Sequence, residues 1–153
     1  MLKSTLATLL LFTYYFGNAQ NTKSAFDKAL ADSLGADEYG MKKYVLVILK
    51  TGSNKTTDKH FVDSMFQGHM KNIGNLAALG KLVVAGPMLS KNEKEYRGIF
   101  VLNASSIDDA KEILKTDPAI SSKLLDTELY SWYCSAALPM FLPYHDKVKS
   151  KSF

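Results

Sequence analysis

The sequence predicts an α+β fold of the ferredoxin-like class, βαββαβ in order, with an antiparallel four-stranded sheet and both helices on one of its faces. Three observations predict it. Tyr44-Val45-Leu46-Val47-Ile48-Leu49 is an unbroken run of aliphatic, β-branched and aromatic residues, the pattern of a central strand buried on both faces. Val62, Phe66, His69, Ile73 and Leu76 recur at steps of three and four, the buried stripe of an amphipathic helix. Two later apolar runs flank the charged segment Lys91-Asn92-Glu93-Lys94-Glu95, which reads as a hairpin loop.

Ser24 to Leu34 places Phe26, Leu30 and Leu34 four residues apart, a short amphipathic helix closed by Gly35, and Ala36 to Met41 connects it to the central strand. After the polar turn Thr51 to Thr57, Asp58 caps a helix of about twenty residues that carries His60, Asp63 and His69 and ends at Gly80. The strand Leu82 to Ala85 stops at Gly86-Pro87, and the hairpin returns as the strand Tyr96 to Leu102. Ser106 with Asp109 three residues on resembles a capping box for a second helix, whose buried side is Ile107, Ala110, Ile113 and Leu114. Asp117 caps a restarted turn with Pro118 at its first position. In the last strand, Leu129 to Ser135, Tyr130, Trp132 and Cys134 share one face while Ser131, Tyr133 and Ser135 share the other. Beyond it, Pro139 and Pro143 sit among large apolar groups, which excludes a regular helix or strand interior and predicts a strap across the domain or a second copy. A lid contributing Tyr144 or His145 is the functional alternative.

Ahead of the domain, Lys3, the apolar stretch Leu6 to Phe16 and Gly17-Asn18-Ala19 have the order of a secretory signal peptide cut before Gln20. The stretch falls short of the roughly 20 residues a membrane-spanning helix needs. The expectation is an exported protein, periplasmic or secreted, with no stable membrane insertion after cleavage. The chain then divides into the signal peptide (1–19), an N-terminal helical extension (20–41), an α+β domain (42–137) and a C-terminal strap and tail (138–153). Of 153 residues, 134 remain after cleavage, enough for one domain with a real core and too few for two.

Composition narrows the function. Cys134, the lone cysteine, has no internal disulfide partner, and its place in a strand marks an inert thiol rather than a catalytic one. The net charge of +4, about +3 without Lys3, is spread over Lys42-Lys43, Lys91 to Lys94 and Lys147 to Lys151 with no Arg cluster, so no nucleic-acid partner is expected. A Gly-rich phosphate loop, a Gly-x-Ser-x-Gly elbow and a Cys-x-x-Cys pair are all missing, which leaves nucleotide-dependent, serine-hydrolase and thiol-redox chemistry unsupported, and no cofactor is expected. His60, Asp63, His69 and His145 are suitable metal ligands by type, but their spacing fits no metal template and no metal is expected.

His69 is the candidate for chemistry, because the helical stripe turns its imidazole inward. Such a histidine is either a core ring satisfied by a backbone carbonyl or water, or a pocket base or ligand-orienting group. Asp63, the nearest carboxylate in sequence, lies about 9 Å away along the helix axis, too far for direct pairing. At the hairpin, Arg97 and Tyr96 either enter a cavity, with Arg97 holding an anionic group, or are exposed loop residues, and Pro87 lies beside them.

One long stretch is specific. His69-Met70-Lys71-Asn72-Ile73 through Gly80-Lys81-Leu82-Val83-Val84-Ala85-Gly86-Pro87, then Tyr96-Arg97-Gly98-Ile99-Phe100-Val101-Leu102, Ser106-Ile107-Asp108-Asp109-Ala110, Asp117-Pro118-Ala119 and the strand ending near Trp132 resemble the YciI-like (YCII-related) family. The resemblance covers about residues 42 to 137. It implies a homodimer joined sheet to sheet as an α+β barrel, a small cavity beside the helix-borne histidine, and small-molecule conversions such as dehydrochlorination. It also implies an acidic partner for that histidine in the segment Asn75 to Gly80, where this chain has Ala78. Two functions follow: an enzyme acting on a small organic molecule with neutral His69 as general base and Pro87, Tyr96 and Arg97 as ligand contacts, or a dimeric small-ligand binding module without catalysis, favoured by the acid missing at position 78.

Overall fold

Strand alternation in the central run decides how the sheet is covered. The computed structural model describes residues 25–151; the expected signal peptide and its cleavage point lie outside the described residues. Strand β1 (Met41–Thr51) follows helix α1 (Lys28–Leu34), and α2 (Lys59–Ala78), β2 (Leu82–Pro87), β3 (Tyr96–Leu102), α3 (Ile107–Leu114), α4 (Pro118–Ser121) and β4 (Leu125–Ser135) complete the domain. The four strands form one sheet in the order β2-β3-β1-β4, and every neighbouring pair is antiparallel. The architecture is α+β, as the periodicities predict.

Val45, Val47 and Leu49 of β1 point to the side where α2, α3 and α4 pack, and join Phe100, Leu102, Leu76, Ala110, Leu114, Ala119 and Leu125 in the main core. Leu46 and Ile48 point the other way and are only half-buried, so the expected burial of β1 on both faces is met on one face within a single chain. That outer face is covered at one end. Leu138, just past β4, packs onto Tyr44, Val83 and Val101, and the Tyr44 hydroxyl donates to the Ser135 carbonyl at 3.0 Å.

Helix starts follow the expected caps. Asp58, Ser106 and Asp117 each accept a backbone N–H of the first turn of α2, α3 and α4. Asp27 does the same for α1, which sets its start four residues later than the apolar spacing suggests and leaves Phe26 outside it, 80% exposed. No residue of α1 is buried.

The sheet also runs longer than the sequence predicts. β4 begins at Leu125 rather than Leu129, and β2 continues through Pro87, which the ladder tolerates because β2 is an edge strand. The C-terminal segment differs from an irregular strap: it forms a 3-10 turn (Leu138–Phe141) and a helix, α5 (Leu142–Val148). Pro139 and Pro143 fall in the first turn of each, where a missing N–H costs no hydrogen bond. Among the described residues no helix is long and apolar enough to cross a membrane.

Candidate functional site

Two helices bring the candidate site together. His69 lies in the middle of α2, on the face that meets the sheet, and Asp117 is the cap residue of α4, which packs against α2. His69 is 7% exposed and Asp117 is fully buried. The His69 Nδ1–H donates to Asp117 Oδ2 at 2.7 Å across 48 residues of sequence. The ring is stacked on Phe100 with centroids 5.8 Å apart and meets the edge of Phe66 at 6.0 Å, so packing fixes its plane as well as its partner.

Asp117 is held as firmly as the histidine. Its other oxygen, Oδ1, accepts from Ala119 N at 3.0 Å and from Ile120 N at 3.2 Å, the capping bonds of α4. Asn72, one turn beyond His69, reaches Oδ2 at 3.5 Å and accepts from the Thr116 hydroxyl at 3.1 Å. The carboxylate therefore serves two helices at once.

Pairing at Nδ1 determines what the other nitrogen can do. With Nδ1–H committed to the carboxylate, the neutral ring carries its lone pair on Nε2. Nε2 has no hydrogen-bond partner among the described residues, and 7% of the His69 surface remains exposed. A ring with one nitrogen pinned in the interior and the other unpaired is arranged to accept a proton.

The residues expected beside His69 fall elsewhere. Tyr96 lies on the opposite face of the sheet: its hydroxyl donates to Glu128 Oε2 at 3.2 Å, alongside Tyr130 at 3.1 Å and the Lys50 ammonium at 3.0 Å to Oε1. A bulge between Leu49 and Lys50 sets Lys50 opposite Tyr96 and gathers this cluster. The Lys50 hydrogen bond, helped by the two phenols, holds the Glu128 carboxyl below its ordinary value, and the Tyr130 hydroxyl is raised by its bond to Glu128. Arg97 is exposed, its backbone carbonyl accepting from Met88 N, and Pro87 is exposed at the end of β2 opposite Gly98. None of the three hydrogen-bonds to the His69–Asp117 pair.

Position 78 is Ala, and the carboxylate that pairs with His69 is Asp117. Sequence reasoning identifies Asp117 as a cap and stops there, because a cap uses one carboxylate oxygen and local spacing says nothing of the second. The signal that leads to it is a demand rather than a motif: an inward imidazole needs a partner for Nδ1, and a helix-capping aspartate has an oxygen to spare. Two surface depressions stand out among the described residues. One runs between Asp37, Lys43, Lys81, Asn103 and Tyr133, the other along the hairpin from Met88 to Tyr96, and neither includes His69. Among the described residues no three His, Cys, Asp or Glu side chains come together as a metal site.

No protein-family model matches the chain, and no curated protein matches it. Among solved structures it is similar to the 5-chloro-2-hydroxyhydroquinone dehydrochlorinase (TftG) from Burkholderia phenoliruptrix AC1100 in complex with 2,5-dihydroxybenzoquinone. The identity is 19%, the match covers 57% of this chain and 92% of that one, and the TM-score is 0.43.

Proposed function

We propose that this chain is an exported, YciI-like enzyme that moves a proton on a small organic molecule, with His69 as general base and Asp117 as the group that orients it. One observation carries the reading: a buried imidazole whose Nδ1 is bonded to a carboxylate at 2.7 Å while Nε2 stays unpaired. Asp117 holds the ring in the tautomer that leaves Nε2 basic, and stabilises the imidazolium formed when Nε2 takes a proton. The binding-module alternative rests on the missing acid at position 78, and the Asp117 carboxylate on His69 weighs against it.

The outer sheet face, with Leu46 and Ile48 half-buried and Tyr130 and Trp132 exposed, fits the association of two copies face to face. The proposed working form is that homodimer.

The test is proton exchange in heavy water. Purified protein is incubated with a panel of small carbonyl compounds and substituted hydroquinones, and deuterium uptake or product is followed by mass spectrometry. Exchange or conversion by the native chain, lost in a folded His69→Gln variant, is the expected result. A panel in which the two proteins behave alike for every compound would sink the enzyme reading.

A further inference from the structure

Gly68, immediately before His69, has no role in the pair's hydrogen bonds, yet it abuts Pro118, the residue after Asp117. A glycine in a helix interior is unfavourable because it surrenders more backbone freedom than any other residue. α2 contains two, Gly68 and Gly74, and their surroundings differ. A Cβ at Gly74 would meet nothing within 4 Å, whereas at Gly68 it would lie 2.7 Å from Pro118 Cγ and 3.2 Å from Pro118 Cβ.

We infer that Gly68 is a positioning residue: its missing side chain is what lets Pro118 close on α2 and carries Asp117 within hydrogen-bond reach of His69. The inference rests on the pair being the working unit of the proposed function. A Cβ at 2.7 Å cannot be relieved by rotating the neighbour away, because the proline ring is tied to its own backbone. Ring pucker can move Cγ only part of the way while Cβ stays fixed to the backbone at 3.2 Å, so α4 is pushed back from α2. Pro118 is the first residue of α4 and Asp117 its cap, joined through Oδ1 to Ala119 N and Ile120 N, so the carboxylate retreats with the helix. A bond already at 2.7 Å loses strength over that retreat, and His69 Nδ1 loses its acceptor.

The test reads the hydrogen bond rather than turnover, so it separates this inference from the enzymatic one. Nitrogen-15 NMR of the full chain reports which His69 nitrogen carries the proton, and a slowly exchanging Nδ1–H resonance reports its bond to Asp117. In the native chain the ring is expected as the Nδ1–H tautomer with that resonance present. Gly68→Ala is expected to stay folded, since alanine favours the helix, but to lose the resonance and give a mixed tautomer. Adding Pro118→Ala, which removes Cγ and leaves only the 3.2 Å contact, is expected to restore both.

Retention of the Nδ1–H signal in Gly68→Ala overturns the inference, as does a double variant that fails to recover it. If Gly68→Ala does not fold, the double variant decides: folded with the signal supports the steric argument, and unfolded overturns it. A hydrogen bond that responds as described in a chain that turns over no compound would leave Gly68 as assigned and remove the proposed function alone.

Discussion

At the scale of the residue, Asp117 carries more of the site than His69, because each of its oxygens has a separate task. Asp117→Asn tests the chemical task with the shape preserved. An amide can still cap α4 through its oxygen, but its NH2 group would face His69 Nδ1, which must then accept, and the ring proton moves to Nε2. The expected outcome is a folded protein with the opposite tautomer by nitrogen-15 NMR. Any turnover found for the native chain should fall at least about a hundredfold. Asp117→Ala removes both tasks. Losing the cap and leaving the buried Nδ1–H without an acceptor should together destabilise the chain by roughly 2–4 kcal/mol, read from the urea midpoint. A smaller loss in Asp117→Ala than in Asp117→Asn would show that the carboxylate does not hold the two helices together.

At the scale of the element, two glycines differ in what packs against them. Gly52, just past β1, faces the turn before β4, and a Cβ there would lie 2.0 Å from the Lys123 carbonyl oxygen. Backbone cannot yield as a side chain would, so Gly52→Ala should cost at least about 2 kcal/mol. Gly74→Ala, facing open space in the interior of α2, should instead stabilise by about 1 kcal/mol. Opposite signs in paired thermal melts are the check. On the outer face, Glu128 is held below its ordinary value of 4.5, chiefly by its hydrogen bond to Lys50. The ionised form is thus favoured in the folded chain, and the stability it contributes is present above that ordinary value and lost as pH falls through the folded one. Urea midpoints taken from about pH 7 to about pH 3 should drop more steeply for the native chain than for Glu128→Gln.

Much of this level is written locally. Asp58, Ser106 and Asp117 announce three helix starts, and the unbroken run of β1 marks an interior strand without showing which of its faces α2 covers. The ends of β2 and β4 are not written there, because the partner strand, not the residue, decides how far pairing continues. The site is legible by half: His69 shows through its period on α2, whereas its bond to Asp117 spans 48 positions and depends on how closely two helices approach.

At the scale of the whole molecule, the sheet has one finished face and one unfinished. The main core fills the first, while on the second Leu138 covers Tyr44, Val83 and Val101 and leaves Tyr130 and Trp132 exposed. In the proposed dimer this open part meets its counterpart. Ile48→Asp, at the half-buried middle of the interior strand β1, should convert a dimer to a folded monomer in sedimentation equilibrium, with the helix-facing core undisturbed. A native chain that sediments as a monomer at all concentrations would exclude that assembly.

Because one carboxylate both winds the α4 turn and aims the imidazole, the two events share a single population. When the turn from Pro118 to Ser121 frays, the ring loses its carboxylate partner, so in the proposed mechanism the fraction of molecules ready to accept a proton follows the fraction in which that short turn is intact. The backbone amides of Ala119 and Ile120 then act as natural gauges of readiness: their exchange with solvent deuterium, measured on a resting protein with no substrate in hand, counts how often the proposed base is disarmed.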